Sequence, residues 1–499
     1  MIAPLAPDDT VAPAPPTPSP DTASGRPTSL APLAVLLGSL CALVASRPLK
    51  DNSFLTHLAT GRLILSDGVP SENPFLFTGT DFPVPSWWWS IVLGAVEELG
   101  GAGAIRLLTA ATAGALGVVL VLLSRSTTSA DASEPAAPPA GLLQVVLPVV
   151  LTLVCVFEFL NGRPHLPGFL LLAAAVLVWK DERSPWWQAL IFLIWVNVHG
   201  SWLYGALVLA ALAVARAVDD RRIRPRDLQG VGAAVAGLVL GGAVYPQAFE
   251  ILLLPTRQFG DPLEREALSA YQEWAPVPFD EPIAWALAVM ALLAAWSCVR
   301  SRRWASTALV VGLTVMAFSS IRLVPIAAIT MLPFAASGLA RVGSMRVPAG
   351  PQARVAFAVG AVLAVATVGF SATGPHYNLG PYPVDAVDWL EERGLAGNDE
   401  VRLVSHDYVG NYLEWRYGVD ANAYVDDRPD ARTLIDYRML NKLLPGWQDA
   451  LGRAQPDVLL WSTEQPLVEE LSGDPDWHRA VDLGEFAVFC RAELADRCS

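Results

Sequence analysis

Charged residues are scarce in this chain: only 16% of its 499 residues are Asp, Glu, Lys or Arg, whereas 53% are hydrophobic. This composition excludes an ordinary soluble protein of two or three domains, which would need more charge to cover its surface. It predicts a polytopic α-helical membrane protein, in which long apolar segments cross the bilayer.

Cysteine is also rare. The five cysteines form no CxxC pair and show no zinc-ligand spacing, and the chain contains no HExxH motif. Cys41, Cys155 and Cys298 lie in or at the end of apolar runs and are interpreted as small buried hydrophobic residues. Cys490 and Cys498 admit two interpretations: a disulfide formed in an oxidising compartment, or an unpaired Cys498 near a disordered chain end.

Residues 1–28 have little apolar surface. They are rich in Pro, Ala, Ser and Thr, and they lack the basic start and small-residue cleavage site of a signal peptide. We therefore expect a disordered cytoplasmic tail.

From residue 29 onward, apolar runs of roughly membrane-spanning length recur, and they predict about eleven spans. The predicted spans are 29–46, 104–123, 142–160, 166–179, 186–198, 202–218, 230–245, 282–299, 304–318, 321–339 and 355–371. Several are shorter than the ~20 residues of a straight span, so the number of spans could differ from eleven by one or two.

Basic residues concentrate in alternate loops, which are the cytoplasmic ones by the positive-inside rule. These loops hold Arg125; Lys180 and Arg183; Arg221, Arg222, Arg224 and Arg226; Arg300, Arg302 and Arg303; and Arg341, Arg346 and Arg354. The pattern predicts a multi-pass protein of the plasma membrane with its N-terminus inside and its C-terminus outside. Its membrane domain spans 29–373, with a first outer loop at 47–103.

The last quarter, 374–499, differs in composition, with 24 acidic side chains against 11 basic ones. This charge predicts a soluble extracytoplasmic domain and argues against nucleic-acid binding. The patterns at 384–394 and 431–444 are helical, whereas the runs 401–406, 422–427, 457–462 and 485–491 are typical of short strands. We expect a small α/β domain with some parallel pairing.

Polar clusters at the predicted span ends fall on the outer side. They are Asp51 and His57, residues 161–165, residues 197–201, and the pair Ile321 and Arg322. Ionisable groups at membrane depth usually face a cavity. Because these polar clusters all lie on the outer side, they predict a single aqueous site that opens outward.

Asp51 is the candidate catalytic residue. A carboxylate at a span end can deprotonate a hydroxyl, bind a divalent cation or cap a helix, and the sequence after Asp51 is compatible with a helix that it caps. His57 and Arg62 belong to a predicted amphipathic helix, 54–65, on the membrane surface. There Arg62 is interpreted as a solvated side chain, whereas His57 is equally compatible with a substrate contact.

The other candidates are substrate-binding residues. Arg163 and Arg322 could hold phosphate oxygens, although snorkelling to the interface explains either one alone. His165, His199 and Asn197 could hydrogen-bond substrate, and no spacing among the histidines supports zinc. The tryptophans Trp87–Trp89 are interpreted as an aromatic belt or a stacking surface for a sugar or a prenyl chain. The acidic turn at 424–430 is interpreted as an internally paired loop.

Residues 51–89, DNSFLTHLATGRLILSDGVPSENPFLFTGTDFPVPSWWW, resemble the first exoplasmic loop of bacterial GT-C-type membrane glycosyltransferases, related to protein mannosyltransferases and lipid-A sugar transferases. NGRPH at 161–165, NVHGS at 197–201, IRLVP at 321–325, GNYLEWR at 410–416 and VDDRPD at 425–430 resemble the same group. The resemblance implies a GT-C-like fold, a polyprenyl-phosphate sugar donor, and an acid at Asp51 that activates the acceptor. Unlike relatives with paired acids, this chain has Asn52 after Asp51, which argues against metal dependence and leaves open an inactive member.

The sequence therefore predicts an inverting glycosyltransferase that acts on the outer membrane face. No cofactor is expected, and no feature of the sequence supports a divalent cation. The expected partners are the lipid-linked donor, a cell-envelope glycan, lipid or protein acceptor, and membrane lipids, with the loop 245–282 as the wall of a lateral donor groove. A non-catalytic scaffold and a lipid or polysaccharide transporter are the alternatives. A transporter would favour charges deep within spans and related halves, and neither feature is evident.

Overall fold

The computed structural model describes residues 29–79, 83–125, 141–260, 262, 272–340, 347–428 and 430–498. The predicted tail 1–28 lies outside the described residues, as do Arg341 and Arg346 of one predicted cytoplasmic loop. Within the described parts, a helical membrane domain is followed by a C-terminal domain that contains a small sheet.

The helices of the membrane domain follow the apolar runs of the sequence. They are α1 Ala31–Ala45, α2 Asn52–Asp67, α3 Trp87–Leu123, α4 Leu142–Val156, α5 His165–Lys180, α6 Trp186–Val198, α7 Trp202–Asp219, α8 Pro225–Val244, α9 Glu250–Gly260, α10 Pro282–Arg300, α11 Trp304–Ser319, α12 Val324–Leu339 and α13 Pro351–Thr373. Short 3₁₀ turns occur at Phe157–Phe159, Gln272–Trp274 and Ile321–Leu323.

Seven helical segments in the described residues are long and apolar enough to cross a membrane. They are Trp87–Leu123, Leu142–Phe159, Trp202–Asp219, Pro225–Val244, Pro282–Arg300, Ile321–Leu339 and Pro351–Thr373. Four shorter apolar helices, α1, α5, α6 and α11, fall on the other four predicted spans. The apolar helical pattern is confirmed, whereas the number of crossings and the orientation stay predictions.

The predicted first outer loop, 47–103, is largely helical. It contains α2, and α3 already begins at Trp87 rather than near residue 104. Within α3 the backbone leaves helical geometry at Gly100 and Gly101, where Gly101 has φ 64°. A side chain at that φ would be strained, so the glycine allows one continuous apolar segment to change direction.

Helix α2 crosses the start of α3 at very close range. A Cβ added at Gly61 would lie 1.9 Å from the Ser90 carbonyl oxygen, and one added at Gly94 would lie 2.8 Å from the Gly61 carbonyl carbon. Only glycine at both positions permits this approach. The amphipathic helix predicted at 54–65 is therefore present, but residues 53–61 are buried.

Arg106, a buried residue of α3, ties together the ends of two other helices. Its Nε donates to the Ser46 carbonyl oxygen at 2.9 Å, and its Nη1 donates to the Gly374 carbonyl oxygen at 3.3 Å. Carbonyls at helix C-termini lack intrahelical partners. Arg106 satisfies them at the point where the chain leaves α1 and α13.

The C-terminal domain is α/β, as predicted. Its elements are α14 Val384–Glu392, β1 Leu403–Ser405, α15 Asp407–Tyr417, α16 Ala431–Lys442, α17 Trp447–Ala454, β2 Val458–Ser462, α18 Pro466–Ser472, β3 Trp477–Leu483 and β4 Phe486–Arg491, with 3₁₀ turns at Gly418–Ala421 and Ala492–Arg497. The strand order is β1-β2-β4-β3, and β1 pairs with β2 in parallel, whereas the other pairs are antiparallel.

One strand prediction fails, and one strand was not predicted. The run 422–427 contributes only isolated bridges at Ala423, to Leu76 and Leu403, because it is held between the sheet edge and the first outer segment. Strand β3 was not predicted, because its exposed polar residues obscure the alternation of apolar and polar side chains that indicates a strand. The Cys490–Cys498 disulfide is present, and the other three cysteines are buried as expected.

The C-terminal domain shares a hydrophobic core with the membrane domain. Phe54, Leu55 and Leu58 of α2 belong to the same buried cluster as Ala386 of α14 and Leu413 of α15. Since α2 contributes to both domains, the C-terminal domain is packed onto the segment that begins at Asp51.

Candidate functional site

Asp51 stands at the start of α2, where three groups hold its carboxylate. Its Oδ1 accepts a hydrogen bond from the backbone N–H of Phe54 at 3.3 Å, so the N-cap interpretation is confirmed. Its Oδ2 accepts one from the Asn161 amide at 3.3 Å, and Arg163 Nε lies 3.3 Å from Oδ1. The side chain is 17% exposed. Capping therefore uses only part of the carboxylate, which also faces the segment 161–165.

Arg163 links Asp51 to a second acid, Glu273. Arg163 Nη1 lies 2.5 Å from Glu273 Oε1, and Glu273 Oε2 lies 3.4 Å from Arg322 Nη1. A row of alternating charges, called the charge chain below, is thus formed by Asp51, Arg163, Glu273 and Arg322. Three of its members were predicted from the sequence, and the structure brings them together.

Glu273 was missed by sequence reasoning. It lies in the 3₁₀ turn Gln272–Trp274 of the loop 245–282, which was predicted only as the wall of a groove. The turn is fixed in place because Ser320 Oγ donates to the Glu273 carbonyl oxygen at 2.9 Å, next to the start of the turn that carries Arg322. The loop contains several other acidic residues, so the sequence offers no signal that singles out Glu273.

At both acids of the charge chain, burial raises the pKa and ion pairing lowers it, but the net effect differs between them. Burial raises the pKa of Asp51 and outweighs Arg163, which lowers it. Burial also raises the pKa of Glu273, but Arg163 and Arg322 together leave it below its ordinary value. The surroundings therefore favour proton uptake by Asp51 and oppose it at Glu273, and a base is more effective as its pKa rises toward the working pH.

His57 is buried in α2 and is not solvated. Its Nδ1 lies 3.0 Å from Ser90 Oγ, across the close contact between α2 and α3. Burial, followed by the charges of Arg428 and Arg163, lowers the pKa of His57 to about 3. The imidazole is consequently neutral at physiological pH and can act in hydrogen bonding but not as a cation. Arg62, in contrast, is exposed, as interpreted from the sequence, but it also pairs with Glu97 and donates to the Trp415 carbonyl oxygen at 2.7 Å.

His165 and His199 form a buried pair with ring centroids 4.4 Å apart. His199 Nδ1 lies 2.7 Å from Ser201 Oγ, whereas neither ring nitrogen of His165 has a hydrogen-bond partner. A buried, unpaired imidazole is able to receive a polar group of a ligand. Among the residues that the structure describes, no three His, Cys, Asp or Glu side chains are placed to hold a metal ion.

Asn197 is fully buried, and its amide is used within the protein. Its Oδ1 accepts from Trp87 Nε1 at 2.8 Å, while its Nδ2 donates to the carbonyl oxygens of Leu193 and Gly241. These bonds favour a structural role over the predicted substrate contact. Trp89 Nε1 donates to the Gly162 carbonyl oxygen at 2.8 Å, so two of the three clustered tryptophans anchor the segments that carry the site.

The acidic turn of the C-terminal domain lies against α2. Arg428 donates to Thr60 Oγ1 of α2 at 2.8 Å, to Glu414 Oε2 at 2.9 Å and to Asp426 Oδ2 at 2.9 Å. These four residues are called the domain clamp below. The carboxylates of Glu414 and Asp426 are fully buried. The loop is internally paired, as interpreted from the sequence, but it also joins the two domains.

Replacing Arg428 with methionine is expected to destabilise the packing of the C-terminal domain on α2 by about 3–5 kcal/mol, because it leaves two buried acids without their cation. The measurement is chemical unfolding of the detergent-solubilised protein, followed by tryptophan fluorescence.

Arg479 provides the matched control, since it pairs with Asp482 at 2.9 Å and the two side chains are 38% and 50% exposed. Its replacement with methionine should change stability by no more than ~1 kcal/mol. Equal losses for the two variants would show that the domain clamp is no stronger than a surface ion pair.

A cavity of about 320 Å³ opens beside the segment that leads into α2. It is lined by Arg47, Pro48, Lys50, Pro375, Tyr377 and Asn378. None of the charge-chain residues lines it, so this cavity flanks the candidate site and is not part of it.

The fold is similar to that of an oligosaccharyltransferase from Archaeoglobus fulgidus. The crystal structure of that protein tethered with an acceptor peptide containing the NVT sequon has a TM-score of 0.52 and 11% sequence identity, over 87% of this chain and 69% of that chain. Its apo form has a TM-score of 0.50 and 12% identity, over 87% of this chain and 70% of that chain.

No protein-family model matches the sequence, and no curated protein matches it either. The similar structures are of a GT-C-type glycosyltransferase, so the GT-C resemblance is confirmed at the level of the fold. At such low identity the likeness extends to the fold alone. The described residues thus combine seven helical segments that are long and apolar enough to cross a membrane with a fold similar to that of the oligosaccharyltransferase.

Proposed function

We propose that this protein is an inverting glycosyltransferase that moves a sugar from a polyprenyl-phosphate donor to an acceptor hydroxyl on the outer face of the plasma membrane. The observation that carries the proposal is the charge chain, in which Asp51 lies 3.3 Å from Arg163 and Arg163 is connected through Glu273 to Arg322. A base and two phosphate-binding cations are thereby held at one place in a fold of the glycosyltransferase type.

In the proposed reaction, Asp51 takes the proton of the acceptor hydroxyl as its oxygen attacks the anomeric carbon. The bond between that carbon and the phosphate oxygen breaks, and polyprenyl phosphate leaves with the electron pair. The new glycosidic bond forms on the opposite face of the sugar, so the configuration inverts. A positioned general base contributes about 10²- to 10⁴-fold to such a reaction.

The two arginines would stabilise the departing phosphate. Arg163 uses Nε and Nη1 in its ion pairs, and a guanidinium has five N–H donors, so further donors remain for phosphate oxygens. His165, with no hydrogen-bond partner at either nitrogen, is suited to a donor or acceptor group of the substrate. Glu273 holds the two guanidinium groups in fixed relative positions before the substrate arrives, which is the form of electrostatic preorganisation that favours catalysis.

The direct test is turnover by the purified full-length protein in lipid nanodiscs. Radiolabelled polyprenyl-phosphate glucose, mannose and arabinose would be supplied with a cell-envelope extract as the source of acceptor. We expect label to leave the lipid with at least one donor, and release should be lost in the Asp51→Asn variant.

Two other outcomes would contradict the proposal. Label that stays on the lipid with all three donors contradicts glycosyl transfer and agrees with a scaffold. Lipid-linked sugar that crosses the bilayer of proteoliposomes intact indicates a transporter.

A further inference from the structure

The cavity that flanks the candidate site has no part in the proposed reaction, yet its walls are fixed. They are two chain segments, 47–50, which follows α1, and 375–378, which follows α13. The Leu49 N–H donates to the His376 carbonyl oxygen at 2.9 Å, and the Asn378 N–H donates to the Leu49 carbonyl oxygen at 2.8 Å. This parallel bridge sets the distance between the two walls, so the cavity is formed before any ligand arrives.

Both charged residues that line the cavity are basic. Leu49 is buried, and since neighbouring side chains of a bridged segment point to opposite sides, Lys50 faces the cavity. Arg47 donates through Nη2 to the Phe157 carbonyl oxygen at 3.3 Å, and its guanidinium lies over the Phe157 ring, 5.2 Å from the centroid. Its Nε and Nη1 donors remain. In the part of the chain that the structure describes, neither Arg47 nor Lys50 is paired with an acid.

Negative groups that adjoin the cavity walls in the chain are already compensated. The C-terminal ends of α1 and α13 carry partial negative charge, which by itself would repel an anion. Arg106 offsets this charge, because it donates to the carbonyl oxygens of Ser46 and Gly374. Asp51, the residue after the first wall, pairs with Arg163. The cavity therefore stays positively charged in a chain whose formal net charge is −14, and its complementary ligand is an anion.

The cavity also offers neutral donors. Asn378 Oδ1 accepts a hydrogen bond from the Gly380 N–H at 3.3 Å, which leaves the two N–H groups of that amide for a ligand. Together with Arg47 and Lys50, they supply donors from both walls. A phosphate group presents acceptor oxygens in several directions and forms strong charge-assisted hydrogen bonds with such donors. The volume lies in the range of small-ligand sites, about 300–1,000 Å³. A phosphate ester therefore fits the charge, the donors and the size of this cavity.

An exposed apolar surface leads up to the cavity along α13. This helix is one of the segments that are long and apolar enough to cross a membrane, and it ends two residues before Pro375. Its last turns carry exposed apolar side chains, namely Val362, Val365, Val368 and Phe370. In a bilayer such side chains contact acyl chains. A ligand that joins an anionic headgroup to apolar chains matches both the cavity and the helix, whereas a free phosphate ester matches the cavity alone.

We propose that this cavity binds the headgroup of an anionic phospholipid of the surrounding bilayer. Arg47 and Lys50 hold the phosphate oxygens, Asn378 donates to the phosphate or to a headgroup hydroxyl, and the acyl chains lie along α13. Basic pockets between membrane helices recognise anionic lipids by the same chemistry. The site is separate from the charge chain, and the inference does not depend on glycosyl transfer. A bound lipid would connect the ends of α1 and α13 at the segment that leads to Asp51.

The test is calorimetric titration of the full-length protein in a non-ionic detergent with dioctanoyl phosphatidylglycerol and with dioctanoyl phosphatidylcholine. Both lipids carry the same phosphate and chains, but the choline cation would meet Arg47 and Lys50. We expect the Kd for phosphatidylglycerol to be about 10- to 30-fold lower, the effect of two basic residues on an anionic headgroup. A variant with both Arg47→Gln and Lys50→Gln should lose this preference. Both lipids are titrated into one preparation, so the ratio of the two Kd values does not depend on the folded fraction.

A variant with both Arg222→Gln and Arg354→Gln is the matched control. It removes the same charge from two exposed residues, one between α7 and α8 and one in the first turn of α13, and neither lines the cavity. It should keep the wild-type preference. Equal Kd values for the two lipids in the wild type would overturn the inference, as would a preference that survives loss of Arg47 and Lys50. Glycerol 3-phosphate that bound as tightly as phosphatidylglycerol would show a site for soluble phosphate esters and would also overturn it.

Discussion

Asp51→Asn is expected to lower sugar transfer by about 10²- to 10⁴-fold, the contribution of a positioned general base. Asparagine has nearly the same shape and caps helices as well as aspartate does, so the hydrogen bond to the Phe54 N–H should survive and α2 should keep its start. What the variant loses is a proton acceptor whose pKa burial has raised. The measurement is the rate of release of labelled sugar from the lipid, with a thermal melt of the same sample.

The separation between activity and folding makes this variant informative. Asp67→Asn is a suitable control, because Asp67 closes the other end of α2 and its only described side-chain contact is with Ser66. We expect wild-type transfer for that variant. If Asp51→Asn turned over within about threefold of wild type, the general-base assignment would be wrong even though the charge chain remained.

Arg163→Lys is expected to lower transfer by about 10²- to 10³-fold, similar to the loss of one preorganised donor at a developing charge. Lysine keeps one positive charge near Asp51 and Glu273, so neither acid is left alone. It cannot reproduce the planar guanidinium, which contacts Asp51 through Nε and Glu273 through Nη1 at once. The departing phosphate would meet a cation with fewer and less directed donors.

Steady-state kinetics would show where the loss arises. A fall in kcat with little change in the KM for the donor is expected if Arg163 acts mainly on the leaving phosphate in the transition state. Arg125→Lys is the control, since Arg125 forms an exposed pair with Asp181 and should tolerate lysine. If Arg163→Lys and Arg125→Lys behaved alike, the bridging geometry would have no catalytic role.

The domain clamp explains why a site at a span end depends on a distant part of the chain. Arg428 contacts Thr60 on α2, and Phe54 and Leu58 of the same helix share a core with the C-terminal domain. Moving that domain would move α2 and Asp51 with it. Loss of Arg428 should therefore reduce both stability and transfer.

Much of the fold was predictable, because apolar runs and periodicity are read directly from neighbouring residues. Eleven apolar helices coincide with the predicted spans, and β1, β2 and β4 occur where short apolar runs predicted strands. The run 422–427 has the composition of a strand, but Ala423 instead forms backbone hydrogen bonds with Phe75 and Phe77. Phe77 lies 346 residues earlier in the chain than Ala423. Local patterns cannot show such competition.

The candidate site was predictable only in part. Asp51, Arg163 and Arg322 were recognised because each is an ionisable residue at the end of an apolar run. Glu273 belongs to a loop with no such pattern. Asn197, in contrast, looked available in the sequence and is fully used by Trp87 and two carbonyl groups.

By itself, the amino-acid sequence determined that this chain is built of apolar helices with an acidic α/β domain, and that its polar groups gather at helix ends. Hydropathy and charge bias are properties of short segments, which is why they could be read without a structure. Tertiary structure alone decided that Glu273 joins Arg163 to Arg322 and that Arg428 contacts Thr60 of α2. Those distances depend on how α2 packs between two domains, and no local pattern encodes them.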